Sequence, residues 1–457
     1  MIYLDQYKLR VMAIKLFKKS SKKVLAESDG SKILTAKTLP FDQKKLEEII
    51  SEHPTPFYIY DEANIRKTAQ ALKKAYDWMP GYQNHFAVKA NPNPYILEIL
   101  KSEGMGTDAA SLPELLMCEA VGITGEDIIF TSNNTPVTEY RKARELGAII
   151  NLDDVNQIDV VQEAFDGGFP ELICFRYNPG SDIVLDASTN SIGNPVDSKF
   201  GVTTEQLPKA YQSAKEKGAT RFGLHTMTVT NERDEQTQIN IARLMFSTAV
   251  KLHKDLGITL EFVDLGGGFG VAYNPADKSL DLDIIHDGIK QAYEEIIEGN
   301  GLKMRVITEF GRFVTAPSGY LVTKARSLKR TYHNYVGMDA STVDLLRAGV
   351  YGLYHHATVV GKEDQARIPQ RLTGSLCENN DVLTGPLDRM LPEIAVGDVV
   401  VFHDTGAHGH ALGYNYNAKL RCGELLLKPD GSVKQIRRNQ TIADYFATLD
   451  YPGLKSN

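Results

Sequence analysis

From about residue 57 to about residue 315, short β-rich runs alternate with segments of helical period, and this alternation restricts the possible folds severely. The runs are "FYIY", "HFAVK", "DIIFTS", "AIINLD", "LICFRYN", "RFGLHTMTV", "LEFVDLGG" and "MRVITEFG". Between them, "INIARLMFSTAVKLHKDLG" spaces its apolar residues three and four apart and ends on glycine, the pattern of an amphipathic helix and its stop. "PYILEILKSEG" repeats that pattern directly after Lys89. Strand–helix alternation on this scale requires a parallel sheet, either doubly wound or closed into an eight-stranded barrel. Beyond about residue 316 the pattern changes: "YLVTKARSLK", "HHATVVGK", "DVVVFHDTG" and "LRCGELLLK" read as strands separated by turns. That is an antiparallel β domain, which the strand-like early segment "SKILTAKTLP" is expected to join.

Bulk properties exclude several classes. At 457 residues the chain exceeds one ordinary core, which favours two domains. A net charge of -7 offers no general attraction to nucleic acid or an anionic membrane, so a small anionic ligand needs a local cluster of donors. The four cysteines (Cys118, Cys174, Cys377, Cys422) form no CxxC pair, which argues against a zinc site or disulfide scaffold and for a reducing compartment. No apolar run approaches the roughly 18 residues of a membrane helix. The basic N-terminus lacks an apolar core followed by a small-residue cleavage site, so it reads as a surface or disordered extension, and the cytoplasm is the expected compartment.

In a parallel barrel, chemistry collects at the C-terminal strand ends. Those ends carry Lys89 in "AVKAN", Asp108 in "GTDAAS", Arg176 in "CFRYNPG", and His225, Met227 and Thr230 in "GLHTMTVTN". Gly266, Gly267 and Gly268 follow in "DLGGGFG", then Glu309 and Arg312 in "EFGR". Each has an ordinary alternative: a solvated lysine, a tight glycine turn, a surface ion pair in "EFGR", or Asp108 as the N-cap of "LPELLMCEAVG". Together they fit one ligand. It has an aldehyde for the lysine, a phosphate for glycines and arginine, and a basic ring nitrogen for a carboxylate, which is pyridoxal 5′-phosphate.

Over about residues 30–450 the chain resembles the alanine-racemase-fold family of pyridoxal-phosphate decarboxylases, and within it the diaminopimelate decarboxylases. Beyond the strand-end motifs, the resemblance rests on "DSKFG" (197–201), "LLRAGVY" (345–351), "GSLCENNDVL" (374–383) and "DTGAHGHALGYNYN" (404–417). It implies a (β/α)8 barrel over 57–316, an antiparallel β-barrel domain from 25–56 with 317–457, and an extension over 1–24. By the resemblance, Lys89 binds the cofactor's aldehyde carbon and Glu309 faces the ring nitrogen. Gly267, Gly268, Gly311, Arg312 and His408 then hold the phosphate, with Thr230 where the family usually has serine. Asp108 and Arg176 form the polar shell, while Arg312, Arg347 and Tyr351 contact substrate. Cys377 and Glu378 match a Cys-Glu pair that reaches the site from the partner subunit of a homodimer. There the cysteine protonates the substrate carbon and the glutamate reads the distal end. The expected reaction converts meso-2,6-diaminopimelate to L-lysine and CO2, with no metal.

Three positions depart from the pattern. Met227 stands where the family stacks a histidine on the ring, and a thioether can pack well on an aromatic face. His408 replaces a tyrosine at the phosphate, which predicts a pH-sensitive contact. Phe310 replaces the proline of "EPGR". These departures keep open a decarboxylase of another basic or D-configured amino acid, and a non-catalytic relative, though Lys89, Glu309 and Cys377 argue against the latter. An alanine racemase is disfavoured by the Cys-Glu motif.

Overall fold

Eight parallel strands close on themselves: β2 (Gln83–Ala87), β3 (Gly106–Ala109), β4 (Ile128–Ser132), β5 (Ile149–Leu152), β6 (Leu172–Asn178), β8 (Arg221–Thr226), β9 (Phe262–Asp264) and β10 (Arg305–Thr308). Pairing of β10 with β2 and of β5 with β6 completes the ring, and the two-residue β7 (Val202–Thr203) pairs with β6 alone. The computed structural model describes residues 37–183 and 194–454. Pro40–Asn457 form one compact unit. The N-terminal extension and most of "SKILTAKTLP" lie outside the described residues.

Local chemistry explains the alternation. The helix Glu235–Leu256 starts where the Asp234 side chain accepts the Thr237 N–H (2.8 Å) and stops at Gly257, whose φ of 63° suits a left-handed cap. Pro94 opens the helix Pro94–Ser102, with the Asn93 side chain accepting the Tyr95 N–H at 3.1 Å. The barrel strands are buried on both faces, as parallel strands covered by helices must be.

One strand expected in the barrel belongs elsewhere. "FYIY" forms β1 (Phe57–Asp61), which pairs antiparallel with β11 (Gly319–Arg330) and parallel with β17 (Gly423–Leu427). The reason is local ambiguity: a short apolar strand buried on both faces reads alike in either sheet. The second domain is a nine-stranded sheet that branches at β11, which pairs with β1, β12 (Asn334–Met338) and β16 (Val399–Phe402). Most pairs are antiparallel as expected, but β1–β17 and β12 with β14 (Arg367–Thr373) are parallel. The segment before β1 lies against this sheet, with the Phe41 ring 6.1 Å from that of Tyr320 and Thr55 donating to Asp339 (2.6 Å).

The two sheets meet at the C-terminal end of the barrel. The asparagines of "NPNP" fasten them: Asn91 donates to the Gly406 carbonyl and Asn93 to Glu424, each at 3.1 Å. Glu424 is buried and also takes the Tyr60 hydroxyl and the Arg437 guanidinium, so no charge there is left unpaired.

Candidate active site

Lys89 sits in a single 3₁₀ turn, Val88–Ala90, immediately after β2. Its Nζ lies 3.7 Å from Asp108 Oδ2 on the adjacent strand β3. Asp108 is therefore not a helix cap; the helix Leu112–Ala120 is preceded by Ser111, and Glu114 takes the Ala110 N–H instead. The cleft above these two residues, about 50 Å³ in volume, is lined by Lys89, Asp108, Met227, Thr230, Gly267, Gly268, Glu309, Phe310, Gly311, Arg312 and His408. Arg176 lies beside it, pairing with Asp153 (3.5 Å) and stacked on Phe200, in a small side pocket that shares Met227.

The floor holds three buried acids and one histidine. His225 Nε2 lies 3.1 Å from Glu309 Oε2, and Asp264 Oδ1 accepts the Gly266 N–H at 2.8 Å. Burial alone would raise the Glu309 carboxyl, but His225 first, then Lys89 and Arg176, outweigh it and hold Glu309 at about 2. Burial and the Glu309 charge push Asp108 and Asp264 up, well above the usual carboxylate range. The negative charge of this floor therefore resides on Glu309.

The glycine loop after β9 comes too close to its neighbours for side chains. A Cβ on Gly266 (φ 68°) would stand 2.0 Å from the Thr226 carbonyl oxygen, and one on Gly268 (φ 109°) 2.7 Å from the Val229 side chain. Such bare backbone can offer its N–H groups to a phosphate. Gly267 N–H donates to Met227 Sδ at 3.3 Å, which fixes the thioether against the loop. Thr230 and Arg312 meet at 3.5 Å on the same side.

These residues fit pyridoxal phosphate on structural grounds. Glu309 Oε1 and Asp108 Oδ1 are buried without a hydrogen-bond partner, so an acceptor for a ring N–H exists and is otherwise unsatisfied. Arg312 supplies donors for a phosphate beside the close-packed glycine loop, and Lys89 supplies the amine.

Two expectations need amendment. The sequence predicts a pH-sensitive contact at His408, but burial first, then Arg312 and Arg347, holds its imidazole well below the ordinary value, so it stays neutral around pH 7. "EFGR" is not a surface ion pair: Arg312 donates to the Tyr273 hydroxyl at 2.9 Å. Arg347 donates to the same oxygen at 2.7 Å. Cys377, Glu378 and Tyr351 are exposed and do not line the Lys89 cleft; Cys377 N–H is tied to Asn417 Oδ1 at 2.7 Å.

Sequence reasoning missed Tyr273, Asp264 and Asn84. Asn84 holds the "EFGR" turn, accepting the Phe310 N–H (2.8 Å) and donating to the Phe310 carbonyl (3.2 Å). Asp264 directly precedes the glycine triplet, a signal that was available. Nothing local singles out Tyr273 or Asn84.

Residues 62–316 match the family model described as "Pyridoxal-dependent decarboxylase, pyridoxal binding domain". Protein TabA of Pseudomonas amygdali pv. tabaci is 37% identical over 89% of this chain and 94% of its own length. Diaminopimelate decarboxylase of Methanothermobacter thermautotrophicus is 30% identical over the same shares. The crystal structure of diaminopimelate decarboxylase from Helicobacter pylori complexed with L-lysine superposes with a TM-score of 0.79 at 27% identity, covering 88% of this chain and 98% of that one. With the barrel, the lysine turn, the glycine cradle and the buried Glu309 in place, the chain belongs to the pyridoxal-phosphate-dependent amino-acid decarboxylases, a family of carboxy-lyases.

Proposed function

We propose that the chain decarboxylates meso-2,6-diaminopimelate to L-lysine and CO2. The observation that carries this reading is the convergence of Arg312 and Arg347 on one hydroxyl, that of Tyr273, next to the Lys89 cleft. Ornithine, lysine and arginine end in a cation, which two guanidiniums would repel. A diamino dicarboxylic acid brings a second carboxylate, which guanidiniums bind through strong charge-assisted hydrogen bonds. Relatives named diaminopimelate decarboxylase support the same substrate class.

Pyridoxal phosphate, when bound, supplies a sink for the electron pair left when CO2 departs. Lys89 would hold its aldehyde carbon. Glu309, ionised, would accept the ring N–H and keep the proton on that nitrogen. Gly267, Gly268, Gly311, Thr230 and Arg312 would hold the phosphate, with neutral His408 beside them, and Met227 would pack on the ring face. Asp108 and Arg176 complete the polar surround. Arg347 orients the substrate, and Tyr351, exposed just beyond the same helix, is the further substrate contact that the family resemblance implies. Cys377 of the partner subunit donates the thiol proton to the α-carbon, and Glu378 of the partner subunit pairs with the distal ammonium. The protein therefore acts as a homodimer with shared sites.

The departures at Met227, His408 and Phe310 leave a second reading, a decarboxylase of another basic or D-configured amino acid. The pure protein, assayed with the diaminopimelate isomers, lysine, ornithine and arginine, is expected to release CO2 and L-lysine from the meso isomer. Turnover of a cationic monoacid with none of any diaminopimelate isomer would overturn the assignment.

A further inference from the structure

Tyr273 lies in the loop between β9 and the helix Leu282–Ile296, and its hydroxyl joins cations from both domains. Arg312 follows barrel strand β10, whereas Arg347 belongs to the helix Leu346–Val350 of the β domain. Both donate through Nη1 to the one phenolic oxygen, at 2.9 and 2.7 Å. Tyr273 and Arg347 are buried, at 7% and 4% exposure, so this is an interior arrangement and not a chance surface contact. The Arg347 guanidinium also stands 4.9 Å from the centre of the Tyr273 ring, and the His355 ring meets that ring edge-on at 5.1 Å.

His355 does not add a third cation. Its Nδ1 lies 3.0 Å from the His403 carbonyl oxygen, which can only accept, so Nδ1 carries the proton and Nε2 is bare. Burial and the neighbouring Arg347 keep this imidazole neutral. The cluster thus has two like charges in a poorly solvated place and one oxygen shared between them. Burial alone would raise the Tyr273 hydroxyl, yet Arg347 and Arg312 together bring it below its ordinary value of 10.0, which marks how strongly the two cations act on that oxygen.

We propose that Tyr273 is a positioning residue that makes the site selective for a substrate with a second carboxylate, by fixing the Arg312 and Arg347 guanidiniums as one receptor. Each guanidinium carries five N–H donors in a rigid fork, so binding the phenol leaves donors free to take a carboxylate side by side. Without the shared oxygen the two cations repel and separate, and the receptor is lost while the Lys89 cleft remains. This inference rests on the dicarboxylate reading given under Proposed function.

Calorimetric binding of pimelate and hexanoate to the holoenzyme tests both ideas separately. The two acids differ by a distal carboxylate, which pimelate alone has. Wild-type protein is expected to prefer pimelate by about ten-fold or more, and Tyr273→Phe by less than about three-fold, a loss of roughly one decade in affinity ratio. With the turned-over substrate, Tyr273→Phe should raise KM and leave kcat nearly unchanged, a split that general misfolding would not produce. The visible band of the bound cofactor should be unaltered. Arg347→Gln should lose the same preference, and adding Tyr273→Phe to it should cost nothing further, because both act through one receptor. If Tyr273→Phe does not fold, Tyr273→Gln, which retains an acceptor oxygen, should keep part of the preference; complete loss in that variant counts against the inference. A wild-type protein indifferent to the distal carboxylate sinks the dicarboxylate reading and the inference together. Preference retained in Tyr273→Phe, or additive losses in the double variant, sinks the role of Tyr273 alone.

Discussion

Met227 stands where the family pattern has histidine, and its side chain is fixed within the cleft. Its sulfur accepts the Gly267 N–H and its body lines both the cofactor cleft and the side pocket beside Arg176. Met227→Ala should weaken cofactor binding by about 1 kcal/mol, read as a roughly five-fold rise in the cofactor's Kd. Met227→His, which restores the residue usual in the family, should bind cofactor normally; unchanged affinity in the alanine variant would remove Met227 from the ring face. At Glu309 the pH dependence has a definite sign. Its folded value of about 2 lies below the ordinary 4.5, so the benefit of its ionised form is complete above pH 4.5 and is lost only as pH falls toward 2. The largest opposition to burial comes from His225. His225→Gln should therefore let the Glu309 value rise, and the variant should release cofactor in mildly acidic buffer where the wild type retains it. A cofactor absorption band with the same acid sensitivity in both proteins would contradict this role.

At the scale of elements, the site depends on how strand ends are terminated. The turn after β2 presents Lys89 because Asn91 and Asn93 are engaged with the other domain, leaving the lysine as the side chain directed to the cleft. The turn after β10 is held by Asn84 from the neighbouring strand. The loop after β9 works only with glycine, since Gly268 combines positive φ with a 2.7 Å approach to Val229. An alanine there stores strain on the order of 1–3 kcal/mol. Gly268→Ala should lower cofactor affinity by roughly ten-fold or more while the far-UV circular dichroism, which reports the barrel, stays the same. Normal affinity would show that this loop does not bear the phosphate. Much of this was legible in the chain: the strand–helix alternation, the glycine stop at Gly257, and the glycine triplet. "FYIY" was not, because nothing within five residues distinguishes a barrel strand from a strand of the second sheet.

For the whole molecule, the positions of Cys377 and Glu378 carry the main consequence. Both are exposed and are not among the residues that line the Lys89 cleft, and their proposed roles require a second subunit. Lys89→Ala and Cys377→Ala should each be inactive alone. In a hybrid dimer one site collects both lesions and the other none, so random equal mixing should restore about one quarter of wild-type activity. Demonstrated subunit exchange without recovery would place Cys377 in its own chain's site or outside catalysis.

Strand ends and glycine spacing made Lys89, Glu309, Arg312 and the glycine cradle readable in linear order, because barrel strands deliver their C-terminal residues to one mouth whatever lies between them. The charge distribution was not readable in the same way. Glu309 is the ionised member of the buried acids only because folding places His225 3.1 Å away, 84 residues distant in sequence, while Asp108 and Asp264 are raised by burial and by Glu309 itself. Tyr273 gains its two arginines, and β1 its place in the second sheet, in the same way. A local pattern can specify an element and its ends, but burial and charge depend on distances between segments that meet only when the barrel closes and the β domain docks on it.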